Sequence, residues 1–319
     1  MNAAIVREAG RSPVYADFPE PVPENGEVKV SVRAAALSTL VRSRASGSHY
    51  SSSGRLPFVV GVDGVGRLDN GSRVYFVLPR APYGSMSERT VVPQPRCVAV
   101  PDDLDDVTAA AIAIPGMSSW AALKERAHLR AGETVLINGA TGAAGRLAVQ
   151  IAKHLGARKV VATGRNVQTL STLPPLGADV TIPIGDGGQP FEDELRQQFA
   201  GEGIDIVLDY LWGPTAERIL VAGATGGRDA VPIRFVQIGA VAAPKITLPS
   251  AVLRSSAITL MGSGIGSVPG DRIVEAIRGV LQATTSAGFA IGSQVFPLSD
   301  IERVWALPEG PLRTVFRVG

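Results

Sequence analysis

The chemistry in this sequence centres first on a glycine-rich turn placed between an apolar stretch and an amphipathic one. Residues 134–153 read T-V-L-I-N-G-A-T-G-A-A-G-R-L-A-V-Q-I-A-K. In the frame G-x-G-x-x-G, the three positions fall on Ala140, Gly142 and Gly145. Glycine at 142 lets the backbone come up against a pyrophosphate, and glycine at 145 lets a helix pack closely on the preceding strand. The backbone from Thr141 through Gly142, Ala143 and Ala144 to Gly145 then points unpaired N–H groups at the phosphates. A strand before the turn and a helix after it are the context this reading needs.

The second chemical signal follows at V-V-A-T-G-R-N, residues 160–166. A site for an unphosphorylated ribose places Asp or Glu about 20 residues past the glycines. Gly164 holds that place here, and Arg165 follows it. With no carboxylate to repel a phosphate and a guanidinium able to grip one in a fork, the turn points to NADPH. Thr163 and Asn166 add hydroxyl and amide donors beside it. A second glycine cluster, G-A-T-G-G at 223–227, precedes a strand instead of following one and reads as a surface loop.

These residues require a parallel sheet behind them, and the pattern predicts one. Unalternating apolar runs at 134–137, 160–163, 204–208, 235–238 and 258–261 read as strands buried on both faces. Helical stretches at 144–155 and 191–199 lie between them. The first hundred residues differ. V-K-V-S-V at 28–32 alternates cleanly, 58–68 and 73–78 are further strand candidates, and P-E-N-G and D-N-G-S mark turns. Prolines 79, 82, 93, 95 and 101 argue against helix in this half, which reads as mostly antiparallel β. Residues 105–129 are Ala-rich and helical, with Pro115-Gly116 expected to split them into two helices. Residues 272–281 read as helix, and strands near 295–296 and 314–318 return to the first domain.

A chain of 319 residues suggests two domains. Hydrophobic residues at 45% and charged residues at 19% are an ordinary globular balance. The 31 basic and 29 acidic residues are scattered, so nucleic-acid binding has no electrostatic footprint. The single cysteine, Cys97, excludes an intrachain disulfide and any multi-cysteine metal site. The start of the chain shows no apolar signal region, and no apolar run approaches the roughly 20 residues a membrane helix needs. The expectation is a cytoplasmic protein with a small-molecule substrate and no nucleic-acid or membrane partner.

With these pieces in order, the chain resembles the zinc-free quinone oxidoreductase branch of the medium-chain dehydrogenase/reductase superfamily. The likeness runs through G-E-V-K-V-S-V-R-A-A-A-L-S, L-P-F-V-V-G-V-D-G-V-G-R-L, G-S-M-S-E-R-T-V-V-P, L-D-D-V-T-A-A-A-I-A-I-P-G-M-S-S-W-A-A-L and G-E-T-V-L-I-N-G-A-T-G-A-A-G, nearly end to end. It implies an α/β chain with two domains. Residues 1–112 and 285–319 would form a mostly β, GroES-like catalytic domain, and 113–284 a Rossmann domain with a doubly wound parallel sheet. Cofactor and substrate would share the cleft between them. Zinc-using relatives carry a Cys after the early strand and a Gly-His-Glu triplet. Here Ser38 stands near the first, and Gly61-Val62-Asp63 replaces the second. Val62 cannot ligate zinc, and His49, His128 and His154 are isolated in sequence, so no metal site is expected.

The implied activity is transfer of hydride from NADPH to an acceptor that is already electrophilic, a quinone or an α,β-unsaturated carbonyl. Hydrogen-bond donors or water would stabilise the charge that develops on its oxygen. Ser38, Tyr50 and Ser118 are the candidate catalytic residues, with His49 beside Tyr50. Relatives have Asn near Ser38, so Ser38, Thr39, Val41 and Ser43 depart from the pattern. Asp63 is expected to be a buried hydrogen-bonding residue, and Trp120 a core residue. The resemblance places Ile238, Gly239 and Ala240, and Gly262, Ser263 and Gly264, at strand ends lining the nicotinamide, and it suggests a homodimer. Two alternatives stand beside this reading. One is an enoyl-thioester or acrylyl-CoA-type reductase, with Arg42, Arg44 and Arg55 as its basic groove; the other is a non-catalytic NADPH-binding protein.

Overall fold

Strand alternation and burial match along the first sheet. In residues 30–33, Val30 and Val32 are buried while Ser31 and Arg33 face water, the period-two pattern of a half-buried strand. The computed structural model describes the whole chain apart from residues 51, 53, 54, 187, 309 and 311. In chain order it runs β1 (Asn2–Val6), β2 (Val14–Asp17), β3 (Glu27–Ala36), α1 (Thr39–Ala45), β4 (Phe58–Val59), β5 (Asp63–Leu68), β6 (Arg73–Val77), β7 (Arg89–Pro93), β8 (Cys97–Ala99) and α2 (Asp106–Ala121). Next come β9 (Thr134–Asn138), α3 (Ala143–His154), β10 (Lys159–Gly164), α4 (Val167–Leu170), β11 (Val180–Pro183), α5 (Gln189–Ala200) and β12 (Ile206–Asp209). The last part holds α6 (Gly213–Gly226), β13 (Pro232–Gln237), α7 (Ser250–Arg254), β14 (Ala257–Gly262), α8 (Gly270–Ala287), β15 (Ser293–Pro297), α9 (Ile301–Trp305) and β16 (Arg313–Arg317).

The chain divides into two units, Met1–Ile114 with Ile273–Gly319, and Pro115–Arg272. The return to the first unit falls at Ile273, inside α8, rather than at 285. The first unit holds a small sheet in the order β2-β1-β4 and a larger one in the order β15-β16-β3-β5-β6-β8, with β7 also paired to β3. Its core gathers Val30, Val32, Phe76, Met86 and Phe316.

The second unit is a six-stranded parallel sheet in the order β11-β10-β9-β12-β13-β14. The chain builds outward from β9 in one direction and then, from β12, in the other. The carboxyl ends of β9 and β12 therefore flank the point where strand order reverses, the position at which such sheets bind ligands. Every residue of β9 is buried, as expected of a central strand covered on both faces.

Several expectations need correction. Residues 39–45 form a helix, α1, within the region read as β; the prolines invoked against helix all lie beyond it. Residues 58–68 are two strands, β4 and β5, rather than one. Pro115 does not divide the Ala-rich stretch: α2 runs through it and loosens only in a π turn at Ala122–Arg126. The G-A-T-G segment at 223 is no surface loop but the end of α6. Ile219, Leu220 and Ala222 carry its buried face onward, and Gly223 packs on the Phe199 ring, where a Cβ would come to 3.3 Å. His128 lies beyond the π turn in the left-handed region, at φ 51°, rather than on a helix. Strand β11 and helix α6 have no counterpart in the sequence reading.

Candidate functional site

The glycine turn is built by contact with the strand beside it. Backbone N–H groups of Gly139 and Ala140 both donate to the Thr163 carbonyl, at 3.1 and 2.8 Å. Gly139 turns the chain at φ +93°, and helix α3 begins after Gly142. A Cβ on Gly145 would meet the Gly139 carbonyl and the Ala140 Cα, the latter at 2.6 Å. Glycine is therefore required there for helix and strand to approach. Gly142 is different: a Cβ would have only the Gly139 carbonyl within reach, at 3.7 Å. The protein itself leaves that space open, which is what a pyrophosphate needs. The first turn of α3 has no side-chain cap and no acidic residue. Its N–H groups and positive dipole end are thus free for an anion.

The end of β10 completes the cradle. A Cβ on Gly164 would collide with Thr141 Cγ2, so any larger residue here requires the Thr141 side chain to move. Arg165 is exposed just past the strand. Asn166 caps α4 by accepting from the Thr169 N–H at 2.9 Å. Thr163 points the other way: it is buried, and its hydroxyl donates to Asn138 Oδ1 at 2.8 Å.

That bond opens a network that sequence reasoning missed. Asn138 Nδ2 donates to Asp209 Oδ1 at 2.7 Å, joining the ends of β10, β9 and β12 beneath the turn. Asp209 also accepts from the Leu211 and Trp212 N–H groups, at 3.0 and 3.1 Å. These bonds hold Trp212 at φ 59° before α6. Burial pushes the Asp209 carboxyl up, opposed by these N–H donors. The sequence signal was a lone Asp closing an otherwise apolar strand and followed by Y-L-W-G-P.

Further along the same edge, Ile238 and Gly239 donate from their backbones to the Asp209 carbonyl, at 2.8 and 3.1 Å. A Cβ on Gly239 would stand 2.6 Å from the Tyr210 carbonyl, and Ala240 beyond it is exposed. The Gly262 carbonyl is held by Arg126 Nε at 2.7 Å, Ser263 N–H reaches Gln237, and Gly264 N–H bonds Ser267 Oγ. Ser118 lies in α2, and its hydroxyl donates back to the Pro115 carbonyl at 2.7 Å. Near it, Tyr210 is buried, and its hydroxyl makes no hydrogen bond of ordinary geometry. Burial pushes its phenol up to about 12, against a smaller opposing effect of the Ser118 and Ser119 hydroxyls. Trp120 is half-buried, with its ring 5.7 Å from that of His154.

In the first unit, Ser38 is buried and serves as the N-cap of α1, accepting from the Val41 N–H at 3.0 Å. Tyr50 is 73% exposed, and its ring lies 4.1 Å from that of His49. No hydrogen bond joins Ser38 to Tyr50 among the described residues. Asp63 is buried and accepts from the Tyr75 hydroxyl at 2.8 Å, while its other oxygen is unpartnered. Burial raises its carboxyl to about 6, opposed by the Tyr75 bond and by Arg313. Val62, beside it, is buried among apolar neighbours. Among the described residues, no three His, Cys, Asp or Glu side chains gather as a metal site would require.

Comparison with known proteins agrees with this geometry. The family described as zinc-binding dehydrogenase matches residues 143–283, starting inside the glycine turn. The chain is 30% identical to a probable NADPH-dependent quinone reductase of Emericella nidulans over 96% of each chain. It is 29% identical to a 2-haloacrylate reductase of a Burkholderia species, over 74% of this chain and 77% of that one. The solved quinone oxidoreductase of Thermus thermophilus, a structure also determined as its complex with NADPH, superposes with a TM-score of 0.80. It is 27% identical, with 99% and 100% of the two chains covered. The chain belongs to the quinone oxidoreductase branch of the medium-chain dehydrogenase/reductases and is an oxidoreductase.

Proposed function

We propose that this oxidoreductase carries hydride from NADPH to a quinone or an α,β-unsaturated carbonyl compound, without zinc. The observation that carries the reading is the end of β10. Gly164 stands where an acidic residue would be expected and packs against the Thr141 side chain, and Arg165 is exposed beside it. The open face of Gly142 and the uncapped start of α3 take the pyrophosphate, and Arg165 takes the 2′-phosphate. When bound, NADPH supplies the hydride. The backbones at 238–240 and 262–264 orient the nicotinamide. The acceptor must arrive already polarised, because Ser38 caps a helix and Val62 has no donor atom, leaving no Lewis acid at the former zinc position. Tyr50 is the side-chain donor proposed for the developing oxyanion. Ser118 can assist only by releasing the Pro115 carbonyl, and water completes the protonation.

Ser38 acts in this account by holding α1 rather than by touching the acceptor. The protein is proposed to be cytoplasmic and homodimeric. A second copy would dock along β14, the open edge of the parallel sheet, where Leu260 is exposed. The enoyl-CoA alternative is weakened by one observation. Arg42, counted in its basic groove, is committed to the Trp305 and Leu307 carbonyls at 2.6 and 3.2 Å.

The test is NADPH oxidation with 1,4-benzoquinones and enones, with and without a metal chelator, alongside 2-enoyl-CoAs. Turnover of quinones or enones that survives the chelator is expected. Loss of activity on chelation contradicts zinc independence, and turnover of the CoA thioesters alone contradicts the acceptor. NADPH binding with no turnover of any acceptor leaves the non-catalytic reading.

A further inference from the structure

The first unit contains a cavity of about 100 Å³ beneath α1. Its wall is mostly apolar and includes Val41, Phe58, Val60, Val62, Leu78 and Tyr83. Among the described residues lining it, Arg44 is the sole charged side chain. Arg44 is half-buried, and burial holds its guanidinium below its ordinary value. Among the described residues, no carboxylate pairs with it. A cation in such a setting is costly unless something compensates it.

Among the described residues, helix α1 offers the Arg44 guanidinium no hydrogen bond. Its last-turn carbonyls are already taken: the Arg42 carbonyl accepts from Ser46 N–H, and the Arg44 carbonyl accepts from Gly47 N–H and the Ser52 hydroxyl. Arg42, two residues earlier, is placed differently, with the Trp305 and Leu307 carbonyls on its two terminal nitrogens and the Trp305 ring 5.1 Å away. His49 does not double the charge at the cavity. Burial first, and then Arg44 itself, hold its imidazole below the ordinary value, so it is neutral at neutral pH.

We propose that this cavity binds a small monocarboxylate with an apolar body, the carboxylate taken in a fork by Arg44. One guanidinium balances one negative charge, and a fork matches the geometry of a carboxylate. A phosphate dianion would need a second cation, and no other charged side chain lines the described wall. The volume is of the order of a cavity that holds benzene, ~150 Å³, which limits the ligand to a short chain or a single ring. The inference concerns binding to the first unit alone and does not rest on the hydride-transfer reading.

The experiment is titration of the whole protein, without dinucleotide, by calorimetry and by amide chemical shifts. The probes are crotonate and benzoate, their neutral amides, and inorganic phosphate. Saturable binding of the acids is expected, with shifts at Val60, Val62 and Leu78 and affinity at least tenfold above the amides. Arg44→Met should weaken the acids at least tenfold with no loss of melting temperature, and Arg44→Lys should keep part of the affinity. Arg44→Gln serves in place of Arg44→Met if that variant does not fold. Failure of the acids to bind, equal binding of amides or phosphate, or full affinity in the uncharged variants would overturn the proposal. Since no turnover is measured, these results are independent of whether the protein reduces quinones.

Discussion

The glycine turn at 139–145 and the serine-rich segment at 38–50 are both made of small residues, yet the structure uses them in opposite ways. In the turn, the groups left without partners are backbone N–H groups at the start of α3. In the serine-rich segment, the serine hydroxyls are consumed where they stand. Ser38 caps α1, Ser43 Oγ bonds the Leu40 carbonyl, and Ser46 and Ser48 Oγ both bond the Ser43 carbonyl. Short hydroxyl side chains compete for nearby backbone in this way. The comparison teaches that a run of polar residues is not by itself a set of catalytic donors, whereas a glycine spacing constrains a backbone and so defines a site directly.

The comparison can be broken most sharply at two glycines of the same turn. Gly145→Val places its side chain against backbone atoms that cannot yield, and about 3 kcal/mol of stability should be lost, with dinucleotide binding. Gly142→Ala has room for its methyl group, so the melting temperature should hold while dinucleotide affinity falls. Thermal melts paired with fluorescence titration distinguish these outcomes. Equal destabilisation by both would show that Gly142 is structural, and the turn would lose its claim to be a ligand site.

Asp63 tests the first unit next. Its folded value of about 6 lies above the ordinary 3.8. Its contribution to stability is therefore whole below about pH 4 and disappears as pH rises toward 6, leaving a buried charge above that. About 3 kcal/mol should be involved. Asp63→Asn should raise the melting temperature at pH 7.5 and flatten the change between pH 4 and 6. A lower melting temperature at pH 7.5 would mean that Arg313 compensates the charge fully. The smallest effect is expected at Ser38. Loss of its cap in Ser38→Ala should cost about 1 kcal/mol, with kcat changed no more than a few-fold. A hundredfold fall in kcat at unchanged melting temperature would move Ser38 from helix cap to reacting group.

The β-α-β pattern around residue 134 was legible because long apolar runs and the glycine spacing are local. The strands at 134, 160, 206, 232 and 257 were all visible this way. Strand β11 was not, since V-T-I-P is four residues long and ends in proline, with too few positions to show a period. Helix α1 escaped for the same reason: seven residues are fewer than two full turns of apolar repeat. Pro115 misled because α2 absorbs it. The glycines at 223–227 misled because the helix face set by Ile219, Leu220 and Ala222 outweighs their low propensity.

At the site, Gly142, Gly145, Gly164 and Arg165 could be placed from the sequence. The Asn138–Thr163–Asp209 network could not, because it joins three strands more than twenty residues apart in sequence. The unpaired state of Arg44 was likewise invisible, as it depends on which neighbouring carbonyls are already occupied.

The central claim is that the end of β10 selects NADPH through Arg165. Dissociation constants for NADPH and NADH, measured by fluorescence on the native protein and on Arg165→Ala, test it most directly. The native protein should prefer NADPH by roughly ten- to a hundredfold, the worth of lost charge-assisted bonds. The variant should lose that preference while its NADH affinity stays the same. Equal affinity of the native protein for the two dinucleotides would contradict the account.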